Sequence, residues 1–288
     1  MRVVQPATLS ECLNCGAVLT GAYCASCGQK EPHTDLTLRE FLHEAAQELT
    51  QWEGKVPRTL KTLFVNPGLL TTDFLAGRRA RWLPPLRVYL ICSVAYFLSG
   101  PLIEAITGRA PREVASVTIT SPDGSTTLTP EARREIEKGL PARLFGIERL
   151  ERAAADQARL NRTIRTAYPK AMFALLPLFA LLTRVGWRRT IPRYPAHLYF
   201  ALHLHAAWFA TLALSTFVTG FLPASAATVA IQAALAGYAL WYGLAASRRV
   251  FHDPWGRTLA KAAAVAVVYS LCLLAVSVLM LAYALTTL

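Results

Sequence analysis

The residues best suited to chemistry in this sequence are four cysteines within a sixteen-residue window. Cys12-Leu-Asn-Cys15-Gly16 and Cys24-Ala-Ser-Cys27-Gly28 are two C-x-x-C-G knuckles separated by eight residues. Each knuckle sets two thiolates on one tight turn, and its glycine supplies the positive backbone dihedral such a turn needs. A short connection of that length brings both pairs around one tetrahedral ion. Zinc takes four sulfur ligands at about 2.3 Å in closed structural sites. With all four positions filled by Cys12, Cys15, Cys24 and Cys27, no position is left to activate water, so the reading is one structural zinc ion. Iron held in the rubredoxin manner and a dithiol redox pair are the rival chemistries. A ribbon this small folds only with its metal. Arg2 is its one basic residue between Met1 and Gln29, which argues against nucleic acid as a partner of the ribbon.

A second set of chemically able residues is His197, His203 and His205, in Pro195-Ala-His-Leu-Tyr-Phe-Ala-Leu-His-Leu-His. Ionisable groups inside an apolar span are candidate functional sites. At about 100° per residue, His197 and His205 point about 80° apart, and His203 falls on another face. One helix cannot aim all three at one ion, so a shared ligand needs a partner helix, with His252 near the same membrane side. The competing reading is that neutral imidazoles bridge helices by hydrogen bonds. No Asp, Glu, Lys or Arg lies near the middle of an apolar span, since Glu104 and Lys170 sit at span ends. That weakens ion-coupled transport and intramembrane hydrolysis, and no nucleophile constellation stands out. The expectation is no catalytic residue and no enzyme. Cys92 and Cys272 lie alone in apolar spans and read as small hydrophobes.

The elements that carry these residues follow from hydrophobic spacing. Thr37 and Glu40 make a capping box, and Leu38, Phe41, Leu42, Ala45, Leu49 and Trp52 form one helical stripe ended by Gly54. Two short helices, Pro57 to Val65 and Gly68 to Ala76, are separated by Asn66-Pro67-Gly68. Each has too little apolar surface to stand alone and is expected to dock on the membrane-embedded part. Arg78, Arg79, Arg81 and Trp82, before Pro84-Pro85, read as an elbow that anchors on anionic lipid headgroups. Five spans follow: Pro85 to Thr107, Pro169 to Gly186, Ala196 to Gly220, Ala224 to Ala246, and Leu259 to Leu285. Gly100-Pro101 is expected to bend or unwind the first, and Pro177 to kink the second. Residues 108–168 form a polar insert, with Ser116 to Thr120 suited to a hairpin, a helix starting near Thr129, and a longer charged helix from Leu144 to Thr166. The organisation is therefore a ribbon over 1–33, a helical linker and basic elbow over 34–84, a first span over 85–107, the insert over 108–168, and a bundle over 169–288.

The composition agrees with this division. Of 288 residues, 53% are hydrophobic and only 17% charged, too apolar for an ordinary soluble domain. Ala196 to Ser247 contains no Lys, Arg, Asp or Glu, and about 20 apolar helical residues cross a bilayer core. The net charge of +12 then reads as a positive-inside bias. If the N-terminus is cytoplasmic, twelve basic residues flank the spans on that side (Arg78, Arg79, Arg81, Arg87, Arg184, Arg188, Arg189, Arg193, Arg248, Arg249, Arg257, Lys261). Five (Arg109, Arg112, Arg162, Arg165, Lys170) flank them outside. Thiols kept as ligands also belong in a reducing compartment. Five spans place the C-terminus outside, and no signal peptide is apparent in Met1 to Glu11.

The run Cys12-x2-Cys15-Gly16 … Gly21-x-Tyr23-Cys24-x2-Cys27-Gly28-Gln29 resembles the N-terminus of the bacterial domain-of-unknown-function 3667 membrane proteins. So do Thr59-Leu60-x2-Leu63-x2-Asn66-Pro67-Gly68 and Phe74-Leu75-x-Gly77-Arg78-Arg79-x-Arg81-Trp82-x-Pro84-Pro85-Leu86-Arg87-x-Tyr89, with Trp82 where a tyrosine is commoner. The resemblance covers about residues 11 to 99 well and the later spans loosely. It implies a bacterial inner-membrane protein with a cytosolic zinc ribbon, and no catalytic activity. The expected fold is an all-α multi-pass membrane protein of about five transmembrane helices, with a zinc ribbon in front and a polar insert after the first span. The leading functional expectation is a non-enzymatic scaffold with a cytoplasmic protein partner, its spans able to form a homo-oligomer. A channel or transporter using the third-span histidines is the alternative, and a haem- or quinone-binding redox protein a weaker one.

Overall fold

The computed structural model describes residues 11–30, 54–108, 134, 137 and 145–287. The expected 34–52 helix and the expected hairpin and helix between Ser116 and Thr129 lie outside them. Among the described residues the chain is helical, with β-structure limited to two isolated bridges in the ribbon. Two short helices, α1 (Val56–Val65) and α2 (Leu69–Leu75), precede α3 (Pro85–Thr107). After the insert come α4 (Ile147–Ala155), α5 (Gln157–Trp187), α6 (Tyr194–Phe221), α7 (Ala226–Phe251) and α8 (Trp255–Thr286). Five of these, α3 and α5 to α8, are long and apolar enough to cross a membrane.

The hub is α6. Of its most apolar 18-residue window 56% is buried, against 6% for α8, so α6 fills the middle and α8 presents most of its surface outward. Between apolar helices in lipid, close backbone approach and packing supply the attraction. Buried Ala196, Ala201, Ala206, Ala207 and Ala213 let neighbours approach α6. Phe209 of α6 packs against Tyr89, Tyr96 and Phe97 of α3, at ring centroids 5.5–5.8 Å apart. Near the far end of that contact a side chain at Gly220 would begin 2.5 Å from the Ile103 side chain.

One expectation needs correction, and two others concern prolines inside helices. The charged stretch expected to be one helix from Leu144 to Thr166 is broken at Asp156, whose side chain accepts from the Arg159 backbone N–H and caps α5. From there α5 runs without interruption through Pro169 and Pro177, so the helix that carries the second span begins well before Pro169. Prolines are tolerated in membrane helices because neighbours re-satisfy the freed backbone groups. Likewise α3 continues helical across Gly100-Pro101, with no unwound end. Outside the spans, α4 seats Leu150 and Ala153 against Leu160 and Ile164 of α5 and Ala284 and Leu285 of α8.

The short α1–α2 hairpin is wedged against the first half of α6 and the last half of α7. Tyr238 donates to the Phe64 carbonyl at 2.6 Å, and Arg249 donates to that of Pro67 at 2.8 Å. Gly68 between the two helices has φ +77, and a Cβ there would meet the Ala246 carbonyl oxygen at 2.9 Å. Only glycine meets both demands.

Candidate metal centre and its seat

The two knuckles fold as copies of one turn. In the first, the Gly16 N–H donates to the Cys12 carbonyl and the Cys12 N–H to the Ala17 carbonyl, both at 2.8 Å. In the second, Gly28 donates to Cys24 and Cys24 to Gln29, again at 2.8 Å. Gly16 and Gly28 take φ of +76 and +71, and the bridges Glu11–Val18 and Tyr23–Lys30 close the two loops. The four sulfurs of Cys12, Cys15, Cys24 and Cys27 lie within 4.8 Å of one another, and all four thiols are free. Two sulfur–sulfur edges measure 3.5 and 3.6 Å. A disulfide requires about 2.05 Å, whereas a tetrahedral ion with sulfurs at about 2.3 Å sets edges of about 3.8 Å. The cluster therefore fits a four-coordinate metal.

Backbone donors favour the thiolate form that a metal needs. The Gln29 N–H pulls the Cys27 thiol down to about 6, aided by the Asn14 side chain. At Cys15 the Ala17 N–H also lowers the value, but burial and hydrogen bonds with the neighbouring sulfurs outweigh it and push the thiol up to about 11. The protons of such a cluster leave in sequence rather than together.

The ribbon is seated on the basic elbow by the residue just after the second knuckle. Gln29, 7% exposed, donates its amide N–H to the Gly77 carbonyl at 2.7 Å and accepts from the N–H groups of Arg79 and Ala80, each at 3.0 Å. Leu13 covers Gly77 so closely that a Cβ there would start 2.5 Å from it, and Gly77 itself has φ +78. Arg81 completes the seat with long contacts of 3.4 and 3.5 Å to Asn14.

Beneath the elbow sits Asp73, 4% exposed. Its carboxylate accepts from Arg78 at 2.6 and 3.0 Å and from the Trp82 indole at 2.7 Å. Pairing a buried carboxylate with a cation and a second donor offsets its desolvation. Trp82, expected at the headgroup level, is instead 8% exposed and part of the core, because Asp73 gives its N–H a partner inside. Arg79 lies 5.9 Å over the Tyr199 ring. Asp73 is not visible as a site residue in the sequence, and Gln29 and Gly77 stand in the quoted motifs without a role. The one cue was Gln29 standing directly after the C-x-x-C-G turn.

The three histidines are not brought together. His197 donates from Nε2 to the Ile191 carbonyl at 2.9 Å and stacks on Phe251. His203 shares a 3.0 Å hydrogen bond through Nδ1 with the Thr71 hydroxyl of α2. His205 bonds the Ala201 carbonyl of its own helix at 2.8 Å and the Tyr269 hydroxyl of α8 at 3.0 Å. His252 caps α7 with φ 55. The helix-bridging role is thus plain for His203 and His205. Only His205 lines the cavity of about 610 Å³ between α5, α6, α7 and α8, whose wall contains no charged side chain.

At the ribbon end of the bundle a second polar knot joins the loop between α7 and α8 to α5. Asp253 accepts from Lys261 at 2.7 Å and from the Trp187 indole at 2.9 Å. The Lys261 ammonium holds the Asp253 carboxyl below its usual range.

No curated protein and no solved structure matches this chain. One family model does match, over residues 53–97, which hold α1, α2, Asp73, the basic elbow and the first half of α3, and which begin after the ribbon. In this segment the chain is similar to the family described as Protein of unknown function (DUF3667).

Proposed function

We propose that this is a non-enzymatic, multi-pass protein of a bacterial inner membrane whose zinc ribbon is a fixed docking platform for a cytoplasmic protein partner. The observation that carries the reading is the Gln29 seat. A ribbon tethered only by its chain would sample many orientations, whereas three hydrogen bonds and the Leu13–Gly77 contact hold this one against the bundle. What it then presents is apolar, since Val18 is 50% and Tyr23 62% exposed. Exposed aromatic groups on a rigid base suit protein recognition, because little conformational entropy is lost on binding. The metal is read as one structural zinc per chain, since four thiolates leave no open position. Arg184, Arg188, Arg248, Arg249 and Lys261 sit at the same end of the bundle as the ribbon, which supports a cytoplasmic ribbon and an extracytoplasmic C-terminus.

The test compares proteins captured by the intact chain and by Tyr23→Ser, both reconstituted in lipid and both shown to retain metal. Loss of specific partners with Tyr23→Ser and with Cys24→Ser is expected. Identical partner sets for all three would overturn the reading. The observed wall chemistry and the scattered histidines give no support to a polar-solute channel built on His197, His203 and His205.

A further inference from the structure

The cavity beside α6 is built to hold something, and its chemistry specifies what. His205 lies about 17 Å along α6 and Tyr269 about 21 Å along α8, both counted from helix starts at the ribbon end. In a hydrocarbon layer of about 30 Å, that places their hydrogen bond near mid-depth. Both side chains are more than nine-tenths buried. The wall around them is aromatic and aliphatic, with Phe179, Trp208 and Phe209 prominent. Leu240 and Leu259, 72% and 48% exposed, also belong to the wall, so the cavity opens sideways between α7 and α8 toward the bilayer. A ligand arriving that way is dissolved in lipid. About 610 Å³ is within the range of small-molecule sites.

The polarity of the hydrogen bonds is fixed by geometry. His205 Nδ1 faces the Ala201 carbonyl at 2.8 Å, and a lone pair there would repel the oxygen, so Nδ1 carries the proton. In the neutral ring Nε2 then accepts, and the Tyr269 hydroxyl donates to it at 3.0 Å. The phenol oxygen is left with lone pairs, a hydrogen-bond acceptor in an apolar chamber. Among the other polar wall groups, Thr183 uses its donor on Ala180, Trp208 on Ala239 and Ser247 on Gly243, while Tyr96, Tyr168 and Ser270 add hydroxyls elsewhere on the wall.

We infer that this cavity binds a lipid alcohol, its hydroxyl donating to the Tyr269 oxygen and its hydrocarbon body lying among Phe179, Trp208 and Phe209. The site lies far from the ribbon and goes beyond the docking reading, so the two fail separately.

Full-length protein in lipid nanodiscs is titrated with geranylgeraniol and with its methyl ether, and bound ligand is counted by native mass spectrometry. Saturable binding of one alcohol per chain is expected, with the ether about 2- to 10-fold weaker, as befits one lost hydrogen bond. Tyr269→Phe should bring the alcohol down to the level of the ether. Ala266→Phe, a substitution at an outward-facing wall position, should weaken both ligands while leaving the His205–Tyr269 bond in place. Alcohol uptake no greater than by empty nanodiscs would overturn the inference, as would equal binding of alcohol and ether. Should Tyr269→Phe not fold, undiminished binding by folded Ala266→Phe would overturn it alone.

Discussion

Single side chains at the ribbon end of this molecule do work that composition does not reveal. Gln29 is neutral and one residue long in its influence on the sequence pattern, yet it satisfies three backbone groups of the elbow. Replacing it with leucine removes the acceptor of the Ala80 N–H and leaves the Arg79 N–H only the Gly77 carbonyl at 3.1 Å. At about 1–3 kcal/mol for losing such a partner, their hydrogen exchange should quicken by about tenfold or more, read by mass spectrometry, with metal content unchanged. Asp253 offers a test by pH. Its pKa is depressed in the folded protein by the Lys261 hydrogen bond, so the folded state binds its proton less readily than the unfolded state does. The stability it contributes is present above the ordinary carboxylate pKa of about 3.9 and is lost as pH falls through the lower folded value. Wild type should therefore melt higher than Asp253→Asn at pH 7, with the gap closing as acid protonates Asp253. A gap independent of pH would contradict this assignment.

At the scale of elements, the short α1–α2 hairpin is the joint between ribbon and bundle. Neither helix has enough surface to be stable alone, and both gain it from α6 and α7. The turn at Gly68 is where that docking is tightest. Gly68→Ala would need a left-handed conformation, at about 1–2 kcal/mol, and would press a methyl group to within 2.9 Å of the Ala246 carbonyl. Lower thermal stability than Gly21→Ala, whose added Cβ meets nothing within 4 Å, is the expected result in a melting comparison. Most elements could be read from the chain because period and length fix them: the first span runs Pro85–Thr107 as expected, and the third and fourth differ by a few residues at their ends. The C-x-x-C-G knuckles were legible for a similar reason, since their spacing alone sets the turn. What spacing could not give was long-range pairing. Nothing local says that Trp82 meets Asp73 rather than a headgroup, or that Gln29 reaches Gly77 forty-eight positions away. The break at Asp156 and the passage through Pro169 were hidden by a competition between a capping side chain and a proline, and a neighbouring bundle decides such contests.

At the scale of the whole molecule, the described residues form a bundle around α6 with several polar contacts at the ribbon end. Ribbon, elbow, the Asp73 pair and the Asp253 knot all lie there, while among the described residues the middle of the bundle holds neutral polar contacts such as His205–Tyr269. The ribbon is joined to the elbow through Gln29, and the elbow to the core through Asp73 and Trp82. In the proposed function the ribbon's fold rests on the four thiolates being closed by a metal. The most direct measurement is elemental analysis of the purified full-length protein beside Cys24→Ser. One zinc ion per chain in the first and loss of that zinc in the second is the predicted result. Intact protein free of metal, or carrying iron in place of zinc, would contradict it.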